Sequence, residues 1–111
     1  MTEHQIQSLL FKWFKLQHPK LVMFAIPNAA KRSYAQVSYM KSEGLVAGIA
    51  DIFLMCPKSG YHGMFIELKS AKGKLSDSQK DFMGAASSMN YLAVVCYGFD
   101  EAKKAIEEYL K

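Results

Sequence analysis

Long hydrophobic runs are missing from this chain. The longest, Leu21–Ile26 (LVMFAI) and Met89–Cys96 (MNYLAVVC), fall well short of the roughly 20 residues a bilayer-spanning helix needs, so no membrane partner is expected. Cysteine is scarce too. Cys56 and Cys96 form no C-x-x-C pair and sit in apolar, β-like runs, which favours two buried free thiols over a disulfide or a metal site. No linker, repeat or low-complexity tract interrupts the sequence, so one domain over residues 1–111 is expected. The opening MTEHQIQ lacks the basic and apolar stretches of a secretory signal, and a cytoplasmic protein follows. His4, His18 and His62 form no ligand pattern and read as surface residues.

What is present is an ordinary apolar fraction. Half of the 111 residues are hydrophobic, enough for a core without disulfides or structural metal and too many for a disordered chain. The net charge is +4, and the excess is uneven. Residues 1–99 carry eleven Lys and Arg against six Asp and Glu, while residues 100–111 carry three against four. Lys31-Arg32 and the trio Lys69, Lys72 and Lys74 stand out. Such clusters suit a polyanionic partner, and equally suit solvated loops.

Periodicity orders the elements. Thr2 and Gln5 make a T-x-x-Q capping box for a helix to about Gln17, with Ile6, Leu9, Leu10, Trp13 and Phe14 at helical spacing; Pro19 ends it. Leu21–Ile26 reads as a short buried strand. Ser33–Glu43 reads as a helix with Tyr34, Val37 and Met40 apolar, stopped by Gly44. Ile49–Cys56 and Met64–Lys69 flank the turn-rich PKSGYHG and predict a β-hairpin. Ser76 and Gln79 open another capped helix to about Met89, Tyr91–Tyr97 is a fourth strand, and Asp100 is the expected cap of an amphipathic last helix. The order α-β-α-β-β-α-β-α predicts an α/β fold, with a mixed four-stranded sheet flanked by helices.

The third strand, MFIELK, carries the chemistry. Alternation puts Phe65, Glu67 and Lys69 on one face, and two charges at the end of an apolar strand are costly unless paired or ligated. Asp51 lies in another apolar run. A hairpin turn centred near Ser59-Gly60 pairs position 51 with about 68, beside Glu67 and Lys69. Two carboxylates converging there offer hard oxygen ligands for Mg²⁺ or Mn²⁺, with an ammonium available to a scissile phosphate. A plain salt-bridge cluster is the other reading. E-x-K alone is weak, since Glu101-Ala102-Lys103 is a second copy that reads as solvent decoration on the last helix. Glu3 and Gln7 fall along the apolar face of the first helix, where Glu3 serves the helix dipole or a site. Gln79 is either the capping partner of Ser76 or a polar group reaching the site; these uses compete for one amide.

These stretches resemble the PD-(D/E)xK nuclease superfamily, with its restriction-endonuclease-like core, and more narrowly its stand-alone VRR-NUC domains. The resemblance is carried by Glu3 in an amphipathic helix, I-P-N followed by K-R, G-L-V-A-G-I-A-D, F-I-E-L-K and G-K-L-S-D-S-Q-K-D-F, in family order. The Ser33 helix is an insertion in that core. Ala50 stands where the superfamily often has Pro, and the Val-Arg-Arg triplet is absent. The resemblance implies that Asp51, Glu67 and the Leu68 carbonyl ligate a divalent metal, with Glu3 binding it directly or through water. It implies that Lys69 orients the attacking water, and that Gln79 is the polar residue of the following helix.

The expected function is divalent-metal-dependent endonuclease hydrolysis of phosphodiester bonds, with no small-molecule cofactor. Lys31, Arg32, Lys72 and Lys74 would hold the DNA backbone. No recognition helix or zinc finger is visible, so structure rather than base sequence is the expected target. Stand-alone members resemble Holliday-junction resolvases, which implies branched DNA and a homodimer, with the helix carrying Tyr34, Tyr39 and Met40 as the candidate dimer face. The alternatives are a non-catalytic DNA-binding or assembly module that keeps the fold, and a sequence-specific or RNA-directed nuclease.

Overall fold

Three helices start on the same device. Thr2, Ser33 and Ser76 each accept from the backbone N–H three residues on, while Gln5, Gln36 and Gln79 reach back to the cap N–H. They open α1 (Glu3–Gln17), α2 (Tyr34–Ser42) and α3 (Asp77–Ser88) in a computed structural model that describes every residue except Ala29, Ala30 and Lys31. The expected strands follow as β1 (Val22–Ala25), β2 (Ile52–Met55), β3 (Met64–Lys69) and β4 (Leu92–Tyr97), and α4 (Phe99–Tyr109) closes the chain.

The sheet has the order β1-β2-β3-β4, antiparallel except for the parallel β3–β4 pair. That pairing follows from the α3 crossover, because a parallel neighbour needs a connection long enough to return the chain. One face is the main core. Ile52, Leu54, Met64, Ile66, Leu68 and Cys96 pack against Ile6, Leu10 and Phe14 of α1 and Ala102, Ile106 and Tyr109 of α4. The other face is aromatic. Phe24, Phe53, Phe65 and Tyr91 form a chain of ring contacts, and Phe82 of α3 packs edge-on to Phe65. The alternation of β3 therefore sends Met64, Ile66 and Leu68 into the core and Phe65 and Glu67 toward α3.

Several expectations need correction. The first strand is not buried. It is the sheet edge, paired on one side only, and Val22 and Phe24 are about half exposed. The second strand begins at Ile52, not Ile49, so Asp51 sits just before it. The hairpin register is also one residue off. The turn bridge Lys58↔Tyr61 obeys the expected centre, but the ladder runs Ile52↔Ile66 and Leu54↔Met64. The extra residue lies in Met55–Pro57, where Pro57 has no N–H for the ladder. Continuing the ladder one step puts Asp51 opposite Glu67 instead of Leu68. The last helix is capped by Gly98, not Asp100. Gly98 has φ 91°, a conformation that costs glycine little, and its carbonyl accepts from Ala102. Glu101 is more than decoration: its carboxylate accepts from the Tyr97 N–H. Cys96 is buried as expected, whereas Cys56 is half-buried; both are free.

Candidate active site

Asp51 is held from two sides. The N–H of Leu68 donates to its Oδ2 at 2.8 Å, and Asn28 Nδ2 reaches its Oδ1 at 3.5 Å. The Asp51 carbonyl accepts from Ile26 N at 2.7 Å, which ties the end of β1 to the same point. The loop before Asp51 is placed by Gly48. Its φ is +84°, and an added Cβ would lie 2.3 Å from the Ser78 carbonyl oxygen and 2.7 Å from Gln79 N. Only glycine allows this loop to press on the first turn of α3, and the contact fixes Asp51 relative to Gln79.

Glu67 is 4% exposed, the one buried charged residue among those described. Lys69 Nζ lies 3.7 Å from its Oε2, and Gln79 Nε2 donates to the same oxygen at 3.2 Å. The two uses of Gln79 therefore do not compete. Its Oε1 accepts from Ser76 N at 2.9 Å while its Nε2 serves Glu67, because the two ends of an amide are separate groups. The capping box thus orients a site residue.

The Asp51 and Glu67 carboxyls are in hydrogen-bond contact. Burial pushes the Glu67 carboxyl up from 4.5 to about 8, reinforced by the negative charge of Asp51 and the hydrogen bond to it; Lys69 pulls the other way, and Glu3 adds a further push. Near neutral pH the Glu67 carboxyl therefore favours its protonated form. Cys96 is no nucleophile, since burial first and the charge of Glu101 second push its thiol up to about 11. The stem of Lys69 is pinned by the turn that follows it. Ser70 O accepts from Gly73 N, and a Cβ on Gly73 would come within 3.0 Å of Lys69 Cδ.

Asp51 and Leu68 also floor a cleft of 810 Å³ whose other walls include Glu3, Gln7, Asn28, Arg32 and Gln36. Glu3 thus faces the same space as Asp51, though it is exposed and in the first turn of α1. Glu67, Lys69 and Gln79 do not line this cleft; Asp51 is the link between the two groups. Sequence reading missed His4, Ser8 and Asn28, which also border it. The first two were findable, because positions 3, 4, 7, 8 and 11 make one stripe of α1. Asn28 was visible only as part of I-P-N. Arg32 borders the cleft, Lys72 and Lys74 are exposed in the turn beside Lys69, and Lys31 lies outside the described residues.

The donors fit a hard divalent cation. Half-buried Asp51 and buried Glu67 set hard oxygen donors side by side, with the Lys69 ammonium at Glu67. Among the described residues no three His, Cys, Asp or Glu side chains are grouped to hold an ion alone. Magnesium in particular is bound by one or two carboxylates and completes its shell with water and phosphate.

Comparison with known proteins decides the family. The VRR-NUC domain family matches residues 1–100. The chain belongs to it. A solved structure titled "VRR_NUC domain protein" is 25% identical, with a TM-score of 0.86 over 99% of this chain and 88% of that one. Among curated proteins none matches. This VRR-NUC chain therefore carries a nuclease-family domain with a nuclease-like fold. No helix among its described residues is long and apolar enough to cross a membrane.

Proposed function

We propose that this VRR-NUC domain is a divalent-metal-dependent DNA endonuclease, selective for branched DNA and acting as a homodimer. The observation that carries the reading is the Asp51–Glu67 carboxylate pair, with Lys69 beside Glu67 and Asp51 opening onto a cleft. A structural salt bridge would match one acid to one base. Here a second acid is held against the first, so that two sets of carboxyl oxygens meet beside the Lys69 ammonium.

Asp51, Glu67 and the Leu68 carbonyl would hold Mg²⁺ or Mn²⁺, with Glu3 at the cleft side. When bound, such an ion polarises the phosphate and acidifies water. The chain's own residues do the rest. Leu68 N–H fixes the Asp51 carboxylate, and Gln79 fixes Glu67, so neither must reorganise during reaction. Lys69 orients the attacking water and stabilises charge growing on the phosphate. Arg32, Lys72 and Lys74, with Lys31, hold the DNA backbone without reading sequence. A two-fold dimer would bring two such sites to the related strands of a junction. The exposed apolar residues Val22, Phe24 and Met55 at the β1 edge are surface available to it.

The test is a substrate panel. Labelled four-way junction, flap and plain duplex are incubated with Mg²⁺, Mn²⁺ or EDTA. Paired symmetric cuts in the junction, absent in EDTA, are expected. Binding without cleavage of any substrate in either metal would leave a non-catalytic DNA-binding module and remove the enzyme.

A further inference from the structure

The nine-residue helix α2 buries none of its side chains. Helices this short are unstable alone in water, and a capping box supplies only part of the deficit. Its surface nevertheless carries a shallow groove lined by Arg32, Ala35, Gln36, Tyr39 and Met40, with Tyr39 69% exposed. Arg32 and Gln36 also line the Asp51 cleft, so groove and cleft are one continuous surface.

We propose that this groove binds an unpaired nucleobase of the DNA strand leaving the cleft, stacked on the ring of Tyr39, with Arg32 on the adjoining phosphate. The inference rests on the nuclease reading above and deepens it by naming what the α2 insertion recognises. Three features carry it. The groove offers an aromatic ring and a thioether, which meet a base face without regard to sequence. Its one charged lining residue, Arg32, is basic, matching a polyanion. It shares Arg32 and Gln36 with the cleft onto which Asp51 opens. A second copy is the other candidate occupant, and the experiment separates the two.

The experiment measures equilibrium binding in EDTA, where cleavage is suppressed. One probe is a gapped duplex carrying 2-aminopurine in its unpaired segment. The other is a covalently closed duplex with no unpaired base. Tyr39→Ala is expected to weaken binding of the gapped probe on the order of tenfold and to abolish the 2-aminopurine quench, leaving the closed duplex unchanged. Tyr39→Phe is expected to behave as wild type, since it keeps the ring. Tyr39 is exposed, so neither change threatens folding. Equal weakening on both probes, or none, overturns the groove and leaves the nuclease reading standing. A change in sedimenting mass with Tyr39→Ala assigns the surface to a second copy and overturns it likewise. Failure of the wild type to bind either probe overturns both.

Discussion

Replacing Glu67 by Gln should make the metal-free protein more stable, by an amount that depends on pH. The folded Glu67 carboxyl titrates near 8 against an ordinary 4.5. A raised acid binds its proton more tightly in the folded state. Its contribution is therefore fully present below about pH 4.5, is lost as pH rises, and has become a penalty by the time pH passes 8. A shift of that size, at 1.36 kcal/mol per unit, sets a ceiling near ~5 kcal/mol, and relaxation of the pair reduces it to on the order of 2–4 kcal/mol. Glutamine keeps the shape. Its oxygen can accept from Gln79 and Lys69 where Glu67 Oε2 does now, and its amide can donate to Asp51 as the protonated acid does. At pH 5 the two proteins should melt together. At pH 8.5 in EDTA the variant should melt higher, by roughly 10 °C for a chain of this length. Adding Mg²⁺ or Mn²⁺ should raise the wild type and leave the variant nearly unmoved. Thermal unfolding followed by circular dichroism at the two pH values reads all of this. A variant less stable at pH 8.5, or a difference that does not change with pH, would refute the reasoning.

Other outcomes follow from the same geometry. Lys69→Ala should lower cleavage at least ~100-fold while the melting temperature holds or rises; full activity would remove the ammonium from the chemistry. Gln79→Glu keeps a residue able to close the capping box but sets a third carboxylate beside Glu67. It should therefore melt like wild type at pH 5 and lower at pH 8.5, whereas a loss equal at both values would point to the cap alone. Gly48→Ala drives a Cβ into the Ser78 carbonyl at a positive φ, and should cost at least ~3 kcal/mol; a urea unfolding midpoint within error of wild type would contradict the placement of that loop.

The elements were legible because local signals agreed. β3 matches its expected span, Met64–Lys69, where alternation and a charged end coincide. The three capping boxes mark their helices, although the Ser33–Gln36 box has no strong apolar stripe behind it. The register of β2 was not legible. A bulge at Met55–Pro57 is set by what the ladder packs against, and turn chemistry alone gives the other phase. The exposure of β1 was hidden for a similar reason: a short apolar run reads the same at a sheet edge as at its centre. At the site, Glu67 and Lys69 followed from strand alternation, and Asp51 from the hairpin pairing, one residue off. Gln79 reads only as a choice between two uses until the donor and acceptor ends of its amide are counted as separate groups. The positioning glycines, Gly48 and Gly73, act through contacts distant in sequence, with α3 and with the Lys69 stem, which no local pattern records.

The central claim is that the Asp51–Glu67 acid pair is a metal-dependent phosphodiesterase centre. The most direct measurement is the single-turnover cleavage rate of a four-way junction in Mn²⁺, wild type against Asp51→Asn. Asparagine can still accept from Leu68 N–H, so the fold should hold while the charge is lost. The account predicts cutting by the wild type and none by the variant, with DNA binding retained by both. Equal cleavage by the two would contradict it, and would leave Asp51, Glu67 and Lys69 a structural charge cluster.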